Sequence, residues 1–391
     1  MRYHSLTIAT LCFTIAGCAR KELPQLPINM IPQASTADIE SVVFIVGDMG
    51  LAHWDESPMV RSLAHDVEEW SRRLPRDSSV AVLFLGDNIY PAGLHEPHER
   101  EWPQDSAHLE AQAMILAGPN ARAKQALGLF IAGNHDWGHK FGEDGERRIK
   151  NQEQFLARRR SRGINVRFLP PDATPGPGIV DLGSHLRMLL IDSAWWLLSA
   201  DSQEKMRLMQ RLQAAMTGAR GRNIMIAAHH PMRSASVHGG LAPFWATVGV
   251  KWLLQKSGAS LQDLNSLPYR DLRNQLTAVF RVAGAPLLFA GGHDHSLQVL
   301  RGLNDEESRF MIVSGAGSKL SKVGHTEGML YRSLEPGYML LVTRKDGGAE
   351  IFVYSAPQDF LTCAEGPPSF REQCVNAGAN EFRAKFGVTL K

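Results

Sequence analysis

The sequence predicts an α/β fold, and three observations carry that reading. Short β-branched and leucine-rich runs recur along the chain, too uniformly apolar to keep one face in water, as strands covered on both sides require. Segments in which apolar residues return at helical spacing lie between them. Most of these runs also stop abruptly at Gly, Asp, Asn or His, residue types that end strands and carry chemistry.

In chain order the strand runs are 42–46, 80–85, 129–132, 188–191, 224–228, 287–290 and 311–313. The helical segments are 57–74, 107–127, 146–162 and 203–219, the last two with charges on the outer face. The arginines within 158–162 read as a solvated helix end, where cations suit the helix dipole. Residues 339–342 and 351–354 form two later strands close enough to pair antiparallel, which makes the sheets mixed. The folded domain is expected at 39–355, with an insertion at about 241–267 and a C-terminal extension at 356–391 to which no chemistry is assigned.

The first residues read differently. Arg2 precedes an apolar stretch at 6–15, the build of a signal peptide at 1–17 and far short of the roughly 20 apolar residues that a spanning helix needs. Ile15-Ala16-Gly17-Cys18 resembles a bacterial lipobox, in which the cysteine becomes the lipid-bearing N-terminus. Ordinary cleavage without lipid is the alternative. With no Asp after Cys18, the expected location in a Gram-negative host is the outer membrane, facing the periplasm. Residues 18–38, with Pro24, Pro27 and Pro32, read as a tether.

Bulk composition narrows the function. At 391 residues and 44% apolar, the chain can bury a large core. Its 42 basic and 40 acidic residues leave a net charge of +2, too weak a field to argue for nucleic acid, so an anionic substrate must be held locally. Of the four cysteines, Cys12 and Cys18 lie at the start and Cys363 and Cys374 near the end, which leaves no thiolate metal site in the middle. In an oxidising compartment the last two can close a disulfide; otherwise they are free thiols.

The chemistry stands at the strand ends. Gly47-Asp48-Met49-Gly50, Gly86-Asp87-Asn88-Ile89-Tyr90, Gly133-Asn134-His135-Asp136, His229-His230-Pro231 and Gly291-Gly292-His293-Asp294-His295 close five separate runs. In an open α/β sheet such ends gather at one edge. Carboxylates, an amide oxygen, a phenol and imidazoles suit one hard trivalent cation beside a borderline divalent one, and an Asp can bridge the two.

These blocks, in this order and followed by Val313-Ser314-Gly315-Ala316-Gly317, resemble the metallophosphoesterases, and among them the purple acid phosphatases of the tartrate-resistant branch. The resemblance implies an α/β/β/α sandwich of two mixed sheets. Many metallophosphoesterases carry Asp-x-His in the first block; here Gly50 takes the histidine's place and Tyr90 replaces it as a ligand. The resemblance further implies ferric iron on Asp48, Asp87, Tyr90 and His295. A second cation, iron, zinc or manganese, would sit on Asp87, Asn134, His229 and His293. His230 falls where the family varies and is left out of the ligands.

His135 is the candidate to orient a small phosphorylated substrate and protonate its leaving oxygen, and His238 matches a second histidine of that branch, the alternative being a solvated loop residue. Asp136 and Asp294 read as turn carboxylates or as groups that orient imidazoles, and Asn88 as the residue that fixes its loop. Trp195 and Trp196 are either an apolar wall for substrate or core. The implied reaction is hydrolysis of phosphate monoesters by in-line attack of metal-activated water, extending to acidic pH. A phosphodiesterase on the same core and a non-catalytic lipid-anchored binding protein are the rivals.

Overall fold

The computed structural model describes residues 36–138, 142–236, 264, 266–361, 363 and 367–390. The chain begins with β1 (Ile39–Val46), α1 (Pro58–Arg73), β2 (Ser79–Phe84), α2 (Trp102–Met114), α3 (Pro119–Lys124), β3 (Leu127–Phe130), α4 (Glu143–Arg160) and β4 (Val166–Phe168). It continues through β5 (Gly178–Leu182), β6 (Leu186–Leu190), α5 (Ser193–Leu198), α6 (Ser202–Thr217), β7 (Asn223–Ala227), α7 (Leu267–Ala283) and β8 (Leu288–Gly291). The last part holds β9 (Leu297–Arg301), β10 (Phe310–Ser314), β11 (Met329–Ser333), β12 (Gly337–Arg344), β13 (Ala349–Ser355), α8 (Pro368–Ala379) and β14 (Arg383–Leu390).

The strands form two seven-stranded sheets, ordered β14-β13-β12-β1-β2-β3-β4 and β11-β9-β10-β8-β7-β6-β5. Both are mixed. β1, β2, β3 and β4 run parallel, whereas β12 pairs antiparallel with β1 and with β13. In the second sheet β6, β7, β8 and β10 are parallel, and β5, β9 and β11 pair antiparallel.

The layering follows from strand periodicity. Every residue of β1 is buried, and alternate side chains go to opposite faces. Val42, Phe44 and Val46 pack with Val60, Leu63 and Val67 of α1, while Val43 and Ile45 join Met188, Leu190, Met225 and Ile312 of the other sheet. On the far side Leu189 and Ile226 pack with Leu208 and Leu212 of α6 and with Leu276 and Phe280 of α7. The result is a helix, sheet, sheet, helix sandwich, the arrangement that the resemblance implies.

Local signals account for the helix ends. Ser57 caps α1, its side chain accepting from the Val60 amide, and Pro58 occupies the first turn, where a missing N–H costs nothing. The single helix expected at 107–127 is two, because Pro119 cannot lie inside a helix and Gly118 precedes it; Leu127 already belongs to β3. The segment set apart as an extension is integral: β14 pairs with β13 along its length and α8 packs on α1. Within it Cys363 and Cys374 form a disulfide, with Cα atoms 5.7 Å apart. The expected signal peptide, the expected tether up to residue 35, His238 and nearly all of the expected insertion lie outside the described residues.

Candidate metal centre

Five loops, each at the C-terminal end of a parallel strand, meet at one edge of the sandwich. Asp48 follows β1, Asp87 and Tyr90 follow β2, Asn134 and His135 follow β3, His229 follows β7, and His293 and His295 follow β8. Backbone bonds tie the loops together: the Asp48 amide donates to the Gly86 carbonyl (2.9 Å) and the Gly292 amide to that of His229 (2.8 Å). Asp48, Asp87 and His293 hold left-handed backbone at φ of 60°, 51° and 65°. Such conformations cost of order 1 kcal/mol or more each in a residue with a side chain and persist where surrounding structure enforces them, as at functional sites.

At one end of the site Tyr90 is central. Its hydroxyl donates to Asp48 Oδ1 (3.1 Å) and lies 3.2 Å from His295 Nε2, which is itself 3.3 Å from Asp48 Oδ1. Burial, and then the negative charge of Asp48 and Asp87, push the phenol well above its ordinary pKa. A phenolate here therefore needs a cation beside it. Gly50 explains why the tyrosine fits: a Cβ at this position would lie 2.6 Å from Tyr90 Cδ2 and 2.7 Å from its backbone nitrogen. The ring occupies the space that a histidine at position 50 would need, so the two ligand arrangements exclude each other sterically.

At the other end, His229 Nδ1 donates to the Leu85 carbonyl (2.8 Å), which directs Nε2 at Asn134 Oδ1 (3.0 Å) and Asp87 Oδ1 (3.4 Å). That nitrogen faces two oxygen acceptors, an arrangement that is favourable only with positive charge between them, a proton or a metal cation. Burial alone would raise the Asp87 carboxyl, but the charges of His229 and His135 outweigh it and hold the group below the usual carboxylate range. Burial likewise opposes the imidazolium of His229, and Asp87 and Asp48 reverse the balance and raise it. The His293 amide donates to Asp48 Oδ2 (2.9 Å), and its ring centroid lies 5.2 Å from that of His229.

Ligand atoms of Asp48, Asp87 and His229 fall within 4.8 Å of one another, and so do those of His229, His230 and His293. The donor set, oxygen and imidazole nitrogen without thiolate, fits hard and borderline cations, and the acceptor-facing nitrogen of His229 fits one of them directly. The residues present thus suit a pair of metal ions.

His230 is the residue that sequence reasoning set aside. It is buried, its Nδ1 pairs with Ser193 Oγ (2.9 Å), and its ring stands 4.4 Å from that of His293. The consecutive histidines at the end of β7 were the available signal. Lys319, also passed over, holds its ammonium 3.3 Å from the Tyr90 ring centroid.

His135 anchors through Nδ1, which donates to the Pro91 carbonyl (2.6 Å), and presents Nε2 at 3.8 Å from Asp87 Oδ2. Asp136 serves the turn, accepting from the backbone amides of Gly133 and Asn88 and from the Asn88 side chain, and burial and the Asp87 charge push it up to about 8. Asn88 also donates to the Ile131 carbonyl (2.8 Å), which fixes the loop between Asp87 and Tyr90. Trp195 and Trp196 are buried in two different core clusters and form no wall for a substrate.

No protein-family model matches the chain, and no curated protein matches it by sequence. Solved structures do match. GAP50, the anchor in the inner membrane complex of Plasmodium, is 13% identical at a TM-score of 0.53, covering 82% of this chain and 85% of its own. The purple acid phosphatase PPD1 from yellow lupin (Lupinus luteus) seeds is 11% identical at 0.54 over 90% of this chain, which spans about half (54%) of that protein. PhoD is 10% identical at 0.50, covering 89% of this chain and 78% of its own. At such identities the likeness concerns architecture alone, two mixed sheets packed together and flanked by helices.

Proposed function

We infer that the chain is a binuclear-metal phosphoesterase of the acid phosphatase type, which hydrolyses phosphate monoesters. Fe(III) would be held by Asp48, Asp87, Tyr90 and His295, and Fe(II), Zn or Mn by Asp87, Asn134, His229 and His293. The observation that carries this reading is the convergence of these residues, from five separate strand ends, on one cluster with shared carboxylates, buried except at His295. When bound, the cation pair would offset phosphoryl charge and lower the pKa of water.

The chain's own residues supply the rest. Asp48, Asp87 and His229 are at most 2% exposed, which keeps bulk water from screening the centre. His135 is half-buried at its mouth, with Nε2 as the working atom because Nδ1 is committed to Pro91. From there it orients the ester and donates a proton from Nε2 to the leaving oxygen. His238 is the second candidate acid on its spacing.

The Ile15-Ala16-Gly17-Cys18 sequence supports export with a lipid on Cys18 and an outer-membrane location facing the periplasm, and the Cys363–Cys374 bridge accords with an oxidising compartment. Likeness to a Plasmodium anchor protein favours one other reading, a non-catalytic lipid-anchored binder. The complete ligand set weighs against it, since loss of turnover releases such residues from selection.

The test uses purified mature protein: metal analysis, a visible spectrum, and hydrolysis of p-nitrophenyl phosphate against bis(p-nitrophenyl) phosphate across pH. Iron, a broad visible band lost in Tyr90→Phe, and monoesterase activity in acid are expected. A colourless protein with two other metals that prefers the diester would move the reading to a phosphodiesterase, and a protein that binds no metal would sink it.

A further inference from the structure

Seven predicted ligands do not account for every charged group at the centre. The loop after β10 carries Lys319 and is pinned to the loops that bear Asp48 and His295. The Gly317 amide donates to the Gly47 carbonyl (3.2 Å), Ser318 Oγ to that of Asp48 (2.5 Å), and the Ser321 amide to that of His295 (2.8 Å). Flanked by these bonds, Lys319 has its backbone fixed, and its ammonium lies over the Tyr90 ring at 3.3 Å from the centroid. Its charge acts on Asp87, Asp48 and His295.

Exposure separates the groups that hold the centre from those that meet an arriving ligand. Asp48, Asp87, Tyr90, Asn134, His229 and His293 are no more than 5% exposed. Among the ligand, acid and cationic side chains of the centre, His135, His295 and Lys319 are the half-buried ones, so they form the rim. Of the three, only Lys319 brings an aliphatic stem and a terminal ammonium with three donors.

A phosphate monoester dianion has three terminal oxygens, and a diester monoanion has two. If two oxygens turn inward to the buried centre, the monoester has one left to face the rim, where a diester has a second ester oxygen bearing carbon. Resting on the phosphoesterase reading above, we propose that Lys319 is a specificity-determining residue whose ammonium takes that third oxygen and so favours monoesters over diesters. The alternative, that the lysine only packs on Tyr90, makes a different prediction for each measurement below.

The test compares wild type, Lys319→Met and Lys319→Arg as metal-loaded full chains, with metal content verifying that each centre is intact. Calorimetric binding of inorganic phosphate and of dimethyl phosphate is measured beside kcat and KM for p-nitrophenyl phosphate and bis(p-nitrophenyl) phosphate. Lys319→Met is expected to weaken inorganic phosphate by about tenfold and raise the monoester KM similarly, with dimethyl phosphate and the diester changing by less than about twofold. Arginine, which keeps the charge, restores most of the difference. Equal shifts for both anions, no shift in either, or no phosphate binding by the wild type would overturn the assignment. A wild type that binds phosphate but hydrolyses neither ester would sink the hydrolytic reading alone and leave the lysine contact to be judged by calorimetry.

Discussion

Gly50→Ala isolates the steric link between glycine and tyrosine in the first ligand pair. Gly50 does not adopt left-handed backbone, so alanine is conformationally allowed there and only space opposes it. Its Cβ would meet Tyr90 Cδ2 at 2.6 Å, the Tyr90 nitrogen at 2.7 Å and the Asp87 carbonyl oxygen at 2.8 Å. Ordinary contact begins at 3.4 Å, so the Tyr90 segment must retreat by roughly 0.6–0.8 Å. Two of the three contacts are backbone, so a rotamer change cannot relieve them. Overpacking of this kind costs about 1–3 kcal/mol in urea unfolding. The phenol would leave the 3.1 and 3.2 Å separations it keeps from Asp48 and His295. A misplacement near 1 Å at a reacting centre lowers turnover by about a hundredfold. Gly221→Ala serves as control: at φ 89° it strains the backbone but meets nothing within 4 Å, so it should cost about 1 kcal/mol of stability and no activity. Wild-type stability, visible spectrum and turnover in Gly50→Ala would refute the packing argument and with it the reason given for tyrosine in place of histidine.

Asp192, which burial pushes up to about 7, should make the metal-free protein lose stability as pH rises. From about pH 4 to 7 the unfolded carboxyl ionises while the folded one keeps its proton, a penalty of about 4 kcal/mol that Asp192→Asn should remove from the pH dependence; parallel wild-type and variant profiles in urea would contradict this. Cys374→Ser opens a bridge between cysteines 11 residues apart and is expected to cost about 3 kcal/mol in chemical denaturation with kcat unchanged. Ending the chain at Ser355 strips β14 from β13 and leaves an apolar edge strand, so soluble yield and the thermal midpoint should both fall; a truncated protein as stable as the full chain would show that the last strand is dispensable.

The α/β class was legible because strands covered on both faces carry unbroken apolar runs, as 42–46 of β1, 80–84 of β2 and 224–227 of β7 are, and because such a run cannot pass for an amphipathic helix. Ligand types were legible because they interrupt those runs where parallel strands end. Less of the periphery could be read. β14 mixes exposed, half-buried and buried residues in a segment with no apolar run, and only its pairing with β13 makes it a strand. The break between α2 and α3 was signalled by Pro119, but the apolar spacing continues across it and masks the boundary.

Order along the chain and residue type thus determined by themselves which groups gather at the strand ends, since a parallel sheet brings its C-terminal ends to one edge whatever the loops contain. Only tertiary structure decided which of them touch. That Tyr90 fills the space over Gly50, that His230 stands against His293, and that Lys319 lies over the tyrosine ring are contacts between residues 40 to 229 positions apart, held by separate loops. Such contacts depend on distances of a few tenths of an ångström in a close-packed interior, and no one-dimensional pattern records them.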